Sequence, residues 1–391
     1  MRFPGFTDEW KEYTIKDIAK IEKGIGISKN QLSYTGEECI LYGELYTKYK
    51  SEIIEEVLSK TDIDSSKLMR SQFNDVLIPC SGETAEDIAT ARYVKKDGIL
   101  LGGDLNIIRF DNQDGAFMSY QLNGKRKYDI ARVAQGVSVV HLYPEHLKSI
   151  KVCVPQLEEQ QKVVRLLSLI DKRIATQNKI INDLKKLKSA ISKLLLWHSP
   201  LLEKKISISE IGSLKNGYAF QSSSYNPKGE YEILTIANVT GDRYICSLGC
   251  NRILTKPSDL QTHQELKKND ILISMTGNVG RVSLCKDGKY LLNQRVGLLK
   301  VNSEIDADFV YQALSSQNFE QNMISCSQGA AQMNIGKGDV ENYKIPYSDN
   351  SDNLRKISMI LNSYDKKIEI EARVQQVLNE QKSYLLTSMF I

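Results

Sequence analysis

The sequence predicts an α+β protein in which two similar globular domains are each followed by a long helix. Three observations predict this fold: the chain repeats itself once, each repeat begins with short β-like runs between turn residues, and each repeat ends in a heptad-spaced apolar seam. The length of 391 residues allows two or three domains. No apolar run approaches the ~18 residues that a membrane-spanning helix needs, and the first residues lack a signal-peptide pattern.

An internal duplication accounts for nearly the whole chain. Five segments of the first half recur in the same order in the second half, with shifts of 191 to 195 residues. Five ordered matches indicate two copies of one unit rather than a solenoid, whose period is about 20–50 residues. The matched pairs are 15–24 with 208–217, 75–82 with 270–277, 135–136 with 328–329, Pro155 with Pro346, and 166–174 with 360–368.

The first part of each copy is predicted to be a mixed α+β globule. Short runs rich in β-branched and aromatic residues are separated by clusters of Gly, Asn, Asp and Ser. Short amphipathic helices, such as 307–315, lie between the runs. The predicted strands are 38–42, 75–78, 106–110, 137–142, 233–236, 270–273 and 295–301.

The second part of each copy is predicted to be a long helix. In the first copy, acidic residues at 158–159 lie where the helix dipole favours negative charge, and Pro200 ends the helix. Apolar residues spaced three and four apart form a seam in each copy, and polar residues break both seams at two equivalent positions, Gln177 and Lys188 in the first copy and Glu371 and Lys382 in the second. The seams are Val163, Leu167, Ile170, Ile174, Gln177, Ile181, Leu184, Lys188, Ile191 and Leu195 in the first copy, and Leu354, Ile357, Leu361, Tyr364, Ile368, Glu371, Gln375, Leu378, Lys382 and Leu385 in the second.

The two seams are predicted to pack on each other as an antiparallel coiled coil, because an apolar stripe left in water is costly and its matching stripe is tethered nearby. The molecule would then have a pseudo-two-fold axis, and the first helix would span roughly 60 Å at ~1.5 Å per residue. The alternative is that each helix folds back on its own globule. The predicted domains are 1–154, 155–198, 199–346 and 347–391, which are a globule, the central helix, a second globule and the last helix.

Composition and motif content argue against catalysis and against a metal site. The seven cysteines are scattered, and only Cys246 and Cys250 are close enough to be considered for zinc; buried thiols are favoured there. The Gly-Lys pairs at 124–125, 288–289 and 336–337 are not followed by Ser or Thr, so the sequence contains no P-loop. It also lacks adjacent prolines, Gly-x-Ser-x-Gly and His-Glu-x-x-His, which excludes the amino-methyltransferase loop, the hydrolase elbow and the zinc helix.

Basic residues are concentrated in two blocks, although the net charge of the chain is only +4. Residues 151–200 hold ten Lys and Arg against four Asp and Glu, and residues 251–300 hold nine against four. This distribution is typical of a protein that contacts nucleic acid along part of its surface. A solvated helix face is the alternative for 151–200.

Several segments combine residue types that contact DNA. Residues 42–50 interleave tyrosines and lysines, residues 123–132 are basic, and the Gly-spaced turn 275–281 would bring backbone N–H groups to a phosphate. Arg reads guanine and Asn or Gln reads adenine, which adds 293–295 and 328–334. The first three of these segments also have structural alternatives, which are, in order, a strand with core tyrosines, a solvated turn and a hairpin without a ligand. The candidate DNA-binding residues are Tyr42, Glu44, Tyr46, Lys48, Lys125, Arg126, Lys127, Asn278, Arg281, Gln294, Arg295 and Gln332.

Three stretches carry a resemblance to a known family. They are residues 2–10 (RFPGFTDEW), 150–162 (IKVCVPQLEEQQK) and 169–174 (LIDKRI). Together with the duplicated layout, they resemble the specificity subunit of Type I restriction-modification systems over essentially the whole chain. The second junction, 346–352 (PYSDNSD), departs from the pattern because it lacks the Glu- and Gln-rich run of the first.

The resemblance implies that each globule is a target-recognition domain that reads one half of a bipartite, asymmetric site in double-stranded DNA. The helices would be spacers and would also bind two modification subunits, which use S-adenosylmethionine to methylate adenine. Restriction subunits would join to cleave DNA with ATP and Mg, while this chain would bind no cofactor or metal and would act in the bacterial cytoplasm. The expected partner-binding residues are Ile174, Ile181, Leu184, Ile191, Ile368 and Leu378. A different class stays open: a non-catalytic coiled-coil adaptor whose globules bind proteins.

Overall fold

The computed structural model describes residues 5–136, 139–327 and 333–390, and it divides the chain into two compact units. Unit 1 consists of Met1–Asn178 together with Arg373–Ile391, and unit 2 is the continuous segment Lys179–Ala372. Each unit therefore contains one globule and parts of both long helices. The predicted division into four domains, with boundaries at 154, 198 and 346, stays a prediction.

Unit 1 contains short strands and helices followed by the start of a long helix. Its strands are β1 (Lys11–Thr14), β2 (Ala19–Lys23), β3 (Leu32–Ser33), β4 (Glu37–Ile40), β5 (Ile53–Ile54), β6 (Ser59–Thr61), β7 (Met69–Arg70), β8 (Asp75–Pro79), β9 (Ser81–Gly82), β10 (Arg92–Val94), β11 (Leu100–Leu101), β12 (Leu105–Phe110), β13 (Val140–His141) and β14 (Lys151–Val154). Its helices are α1 (Ile15–Ile18), α2 (Glu44–Thr47), α3 (Ala85–Ile88), α4 (Gly115–Asn123), α5 (Arg126–Val133), α6 (Pro144–Lys148) and the part of α7 (Leu157–Trp197) up to Asn178.

Unit 2 repeats this order with fewer strands. Its strands are β15 (Lys204–Ser207), β16 (Gly212–Asn216), β17 (Tyr231–Leu234), β18 (Asn251–Ile253), β19 (Ile271–Ser274), β20 (Val282–Leu284), β21 (Tyr290–Leu292), β22 (Val296–Val301) and β23 (Lys344–Tyr347). Its helices are α8 (Ile208–Ile211), α9 (Ala307–Leu314), α10 (Gln317–Cys326), α11 (Lys337–Glu341) and the part of α12 (Ser351–Ser388) up to Ala372.

The sheets of the two units have the same strand order. Unit 1 contains the sheet β2-β12-β8-β10-β5 and unit 2 the sheet β16-β22-β19-β20, so four successive strands correspond. The second sheets correspond as well, because β4 pairs parallel with β11 and antiparallel with β6, as β17 does with β21 and β18. The central strands β8 and β19 are buried throughout, which explains their continuous apolar runs. The predicted duplication and α+β class are confirmed.

Residues of both long helices complete the core of each globule. In unit 1, Val163 and Leu167 of α7 and Phe390, just beyond α12, join one apolar cluster with residues of the globule. In unit 2, Leu196 of α7 and Leu354 of α12 do the same. Each of these side chains is at most 3% exposed, and burying one stabilises the fold by about 1.5–3 kcal/mol.

Within unit 1 the two helices are antiparallel. Lys382 contacts Asp171, and Gln375 donates a hydrogen bond to Asn178, so moving seven residues back along α12 moves seven residues forward along α7. The seam positions predicted from the sequence are all buried or half-buried. Among the described residues, no helix is both long enough and apolar enough to cross a membrane.

The structural alternative proposed for residues 42–46 is wrong. These residues do not form a strand; β4 ends at Ile40, and Glu44–Thr47 form the one-turn helix α2. The Glu44 carboxylate accepts a hydrogen bond from Leu41 N, just before this turn, at 3.0 Å. A side-chain hydrogen bond to the nearby backbone outweighed the period-two pattern.

Candidate nucleic-acid interface

In unit 2, the loops at one end of the β16-β22-β19-β20 sheet are joined by backbone hydrogen bonds into one edge. Met275 N donates to the Arg295 carbonyl at 3.1 Å, and Gln294 N donates to the Tyr218 carbonyl at 2.9 Å. Ile335 N donates to the Met275 carbonyl at 3.0 Å. The loops 217–221, 275–281, 293–295 and 333–335 thus form one surface, which we call the unit 2 edge.

The unit 2 edge brings together four of the five DNA-binding residues predicted for the second globule. Asn278, Gln294 and Arg295 are exposed. Arg281 is half-buried, with its Nε 3.6 Å from a carboxylate oxygen of Glu320. Two amides and two guanidiniums on one surface are the groups that read adenine and guanine. The fifth candidate, Gln332, lies outside the described residues.

Two glycines shape the predicted turn at 275–281. Gly277 and Gly280 have φ angles of +72° and +77°, a region that side chains with a Cβ rarely occupy. A Cβ on Gly280 would also lie 2.8 Å from the Cβ of Met323. The turn therefore depends on glycine at both positions, and it holds Asn278 at its exposed tip.

Unit 1 has an edge with the same hydrogen bonds. Cys80 N donates to the Asp104 carbonyl at 2.7 Å, and Leu142 N donates to the Cys80 carbonyl at 2.8 Å. After the repeat shift, the bond from Cys80 N to Asp104 corresponds to the bond from Met275 N to Arg295 in unit 2. The bond from Leu142 N to Cys80 corresponds to the bond from Ile335 N to Met275. The loops 24–27, 80–84, 102–104 and 139–143 form this surface, which we call the unit 1 edge.

The side chains of the unit 1 edge differ from those of the unit 2 edge. Glu83 and Asp104 are exposed, where unit 2 carries Asn278 and Arg295. Tyr143 is 47% exposed, and its ring stacks on His141 with centroids 6.2 Å apart. Lys23 Nζ lies 5.9 Å from the centroid of the same ring. Sequence reasoning missed these residues, although applying the repeat shift to 294–295 points to 103–104.

The four candidates at residues 42–48 lie beside the unit 1 edge: Tyr42 precedes α2, Glu44 and Tyr46 are on it, and Lys48 follows it. Gly102 N, on that edge, donates to the Ile40 carbonyl at 3.0 Å. Tyr42 and Tyr46 are half-buried, and burial raises the pKa of Tyr46. Glu44 is 5% exposed, and its carboxylate accepts hydrogen bonds from Lys48 Nζ at 2.6 Å and from Ser59. Glu44 and Lys48 therefore pair with each other, and their contact with DNA stays a prediction.

The basic candidates at residues 125–127 lie at the start of α5. Lys125 is exposed, and Lys127 is half-buried. Arg126 Nη1 contacts Asp129 at 3.4 Å. The preceding Gly124 packs on α12, because a Cβ there would lie 2.6 Å from the Leu386 carbonyl oxygen. This cluster is separate from the loops that form the unit 1 edge.

The six predicted partner-binding residues lie in the seams of α7 and α12. Ile181 and Leu378 are buried, at 8% and 7% exposed. The others, Ile174, Leu184, Ile191 and Ile368, are half-buried. Other large apolar side chains of the same helices are exposed: Leu157, Leu169, Ile180, Leu187 and Leu194 on α7, and Met359, Ile360, Ile370, Val374, Val377 and Tyr384 on α12.

A family model for the Type I restriction modification DNA specificity domain matches the chain twice, at residues 7–186 and 203–380. The chain belongs to this family. The two matches coincide with the two copies seen in the sequence, and each contains one globule and most of the long helix that follows it.

Two proteins of Methanocaldococcus jannaschii are similar over nearly the whole chain. The Type I restriction enzyme MjaVIII specificity subunit is 26% identical, and the match covers 97% of this chain and 91% of the relative. The putative type I restriction enzyme MjaX specificity subunit is 25% identical, and the match covers 97% of this chain and 92% of the relative.

Two solved structures share the fold. The S subunit of a Type I restriction-modification system from M. genitalium has a TM-score of 0.60 and 18% identity, and the match covers 100% of this chain and 99% of the other. A chain from a structural study of complex assembly and conformational transition of the type I R-M system has a TM-score of 0.57 and 14% identity, and covers 97% of both chains. At these identities the likeness concerns the fold alone.

Proposed function

We propose that this chain is the DNA-recognition subunit of a Type I restriction-modification complex, and that its two edges read the two halves of a bipartite, asymmetric site. The observation that carries this proposal is that one backbone arrangement occurs twice with different exposed side chains. The unit 2 edge has Asn278, Gln294 and Arg295, whereas the equivalent loops of unit 1 have Glu83 and Asp104. Two edges that differ in hydrogen-bonding groups would select two different base sequences.

The side chains of the unit 2 edge suggest how its half-site is read. Arg295 would donate two hydrogen bonds to guanine, and Asn278 or Gln294 would donate to and accept from adenine. Arg281, held near Glu320, would contact a phosphate, and such contacts position the protein without reading sequence. Because phosphate contacts release counterions, affinity should fall steeply with salt, whereas the preference for one base should persist.

Partner subunits would supply the chemistry in this proposal. Modification subunits would methylate adenine with S-adenosylmethionine, and restriction subunits would cleave with ATP and Mg; this chain would bind none of these cofactors. Two modification subunits are proposed, because exposed apolar residues of the long helices occur in both units: Val377 and Tyr384 in unit 1, and Ile180 and Leu187 in unit 2. Because the proposed ligand is double-stranded DNA, we propose that the complex acts in the bacterial cytoplasm.

Methylation mapping tests the proposal. The chain is co-expressed with its modification subunit in a host that lacks adenine methylation, and methyladenine is mapped by single-molecule sequencing. A two-part motif with a fixed gap is expected. The control replaces the modification subunit with a catalytically inactive variant, which must abolish the motif. No new methylation, with the complex formed and the enzyme active, would contradict the proposal.

The second candidate function is a coiled-coil adaptor whose globules bind proteins. The exposed apolar residues on α7 and α12 favour it, since they are also suited to protein contacts. A salt titration separates the two functions. Recognition is supported if duplex DNA binds and the logarithm of its association constant falls linearly with the logarithm of salt concentration. The adaptor is supported if no DNA binds in the presence of the modification subunit.

A further inference from the structure

A buried ionic cluster joins the long helices to the globule in unit 1. Lys382 of α12 has its Nζ 2.6 Å from an oxygen of Asp171 on α7, and it also contacts Glu52 of the globule. Tyr120 of α4 donates its phenolic hydrogen to Asp171 at 2.6 Å, and Ser51 donates to the same oxygen at 3.1 Å. The side chains of Lys382, Asp171 and Glu52 are only 13%, 12% and 8% exposed.

Unit 2 contains the corresponding cluster. Lys188 of α7 has its Nζ 2.6 Å from an oxygen of Asp365 on α12. Arg243 of the globule contacts the other Asp365 oxygen at 2.8 Å, and Gln312 of α9 donates to that oxygen at 2.7 Å. Arg243 also donates to Asn362 at 2.7 Å. The side chains of Lys188, Asp365 and Arg243 are 17%, 7% and 15% exposed.

The lysine and aspartate of the two clusters are equivalent residues. A shift of 194 residues relates Asp171 to Asp365 and Lys188 to Lys382. In each unit one helix supplies the aspartate and the other supplies the lysine. These lysines are also the later of the two polar breaks that both seams share, so each seam is interrupted where the globule is attached.

The globule contributes opposite charges to the two clusters. Unit 1 adds the carboxylate of Glu52, which gives two acids and one lysine. Unit 2 adds the guanidinium of Arg243, which gives one acid and two bases. The buried Arg92 acts on Glu52 and Asp171 through its charge, but its guanidinium donates hydrogen bonds to the Leu45, Tyr49 and Ala91 carbonyls instead. Counting only the directly paired side chains, the cluster charges are about −1 in unit 1 and +1 in unit 2.

Buried ion pairs of this kind contribute little net stability, because desolvation offsets most of their attraction; their best-attested use is to fix one register among alternatives. Burial lowers the pKa of Lys188, and the Asp365 carboxylate acts in the opposite direction. Such clusters are therefore suited to specifying geometry rather than to adding stability.

The segment 236–243, which ends at Arg243 of the unit 2 cluster, packs against the loop 275–281 of the unit 2 edge. Arg243 follows Gly241, whose Cβ position lies 3.7 Å from the Arg281 side chain. Ile236, a few residues earlier, lies 3.4 Å from the Cβ position of Gly277. A shift of the segment that Arg243 anchors would therefore move the turn that carries Asn278.

We infer that the Lys188–Asp365–Arg243 cluster in unit 2 and the Lys382–Asp171–Glu52 cluster in unit 1 position each globule on the long helices and so aim its edge at DNA. This inference rests on the proposed function. Lys188 and Lys382 are positioning residues, since they act through the globule and lie away from the edge loops. Each cluster is expected to control the half-site that its own unit reads.

Lys188→Met is the test variant, because the unit 2 cluster contains two basic side chains and one carboxylate. Removing Lys188 leaves Asp365 paired with Arg243 and Gln312, so no carboxylate is left unpaired. The matched control is Lys186→Met, which removes the same charge from an exposed position two residues away. Lys188→Arg is the conservative variant that keeps the contact with Asp365.

The experiment maps methylation by the full chain with its modification subunit. Lys188→Met should melt within about 4 °C of Lys186→Met, yet methylate correct sites about tenfold more slowly and accept altered bases in one half-site only. Lys188→Arg should restore the rate. In the reciprocal arm, Lys382→Met combined with Glu52→Gln removes one charge of each sign and should relax the other half-site only.

Three results would overturn the inference: Lys188→Met behaving like Lys186→Met, equal relaxation of both half-sites, or a rate loss explained by a lower melting temperature. Failure of the proposed function looks different, because then wild type and Lys186→Met would show no motif at all.

Discussion

The two units share their backbone and differ at their exposed edges. In both, a loop after a central strand bonds to the loop before β12 or β22, through Cys80 and Asp104 in unit 1 and through Met275 and Arg295 in unit 2. The exposed side chains on these loops are acidic in unit 1 and amide or basic in unit 2. The comparison teaches that the sheet fixes where a side chain is presented, whereas the chemistry at that point is free to change.

The largest expected effect tests the shared scaffold. Phe117 and Phe309 lie at equivalent positions of α4 and α9, and both are fully buried. Phe117→Ala and Phe309→Ala should each cost about 3–5 kcal/mol, because each leaves a cavity in an equivalent core. Urea unfolding of each variant gives the two losses.

Tyr34→Ala and Leu248→Ala serve as controls, since these side chains are 103% and 86% exposed. They should change the free energy of unfolding by less than about 0.5 kcal/mol. The shared-scaffold comparison fails if one phenylalanine variant is as mild as its control.

An intermediate effect concerns the helix residue that bonds the buried aspartate. Unit 1 uses Tyr120, and unit 2 uses Gln312. Burial first, and the Asp171 carboxylate second, raise the pKa of Tyr120 above its usual value near 10. Tyr120→Phe should cost about 1.5–3 kcal/mol at pH 7, the range for a hydrogen bond to a charged group.

The loss at Tyr120 should depend on pH. Because the phenol ionises in the unfolded chain before it does in the folded one, its contribution is complete below about pH 10 and declines as pH rises further. The difference in free energy of unfolding between wild type and Tyr120→Phe should become smaller above that pH. The difference between wild type and Gln312→Ala should stay the same. Thermal unfolding from pH 7 to 11 measures both, with the exposed Tyr128→Phe as control. A Tyr120 gap that widens would contradict the assignment.

The smallest effect concerns recognition itself. Arg295→Ala should weaken binding to the matched site by about 1–3 kcal/mol and relax one base position in one half-site. At the equivalent position of unit 1, Asp104 repels phosphate, so Asp104→Asn should strengthen binding slightly; Asn tolerates its positive φ of 57°. Fluorescence anisotropy over a salt series compares the two. If the two variants change the binding free energy by equal and opposite amounts and Arg295→Ala keeps its base preference, then Arg295 contacts only phosphate.

Much of the fold was predictable because apolar periodicity decides it. The predicted strand 75–78 is β8, and 295–301 contains β22, since both are central strands whose burial leaves an apolar run. The seam positions were predictable for the same reason, because three-and-four spacing marks the buried face of a helix. The polar breaks at Lys188 and Lys382 were visible, but their partners come from other elements and no local pattern names them.

The candidate site was only partly predictable. The turn around Asn278 was predictable because two glycines flank it in the sequence. The run Asn-Gln-Arg at 293–295 was predictable because its side chains are those that read bases. The unit 1 edge was missed because its exposed side chains include Glu83, Asp104 and Tyr143, whereas the unit 2 edge carries the amide and arginine side chains that indicate base recognition. Tyr143 and Lys23 come together from distant parts of the sequence, and only the repeat shift could have indicated this region.

Unit 1 is built from two separate segments of the chain, which affects how it folds during translation. Unit 2 is one continuous segment, whereas unit 1 needs residues 373–391, translated roughly 200 residues after the rest of it. At about 5–20 residues per second, that interval lasts roughly 10–40 s. Until residues 373–391 are made, Phe117 lacks its ring contact with Phe390. We therefore expect the second globule to complete its core before the first, and the nascent first globule to keep apolar surface exposed for longer.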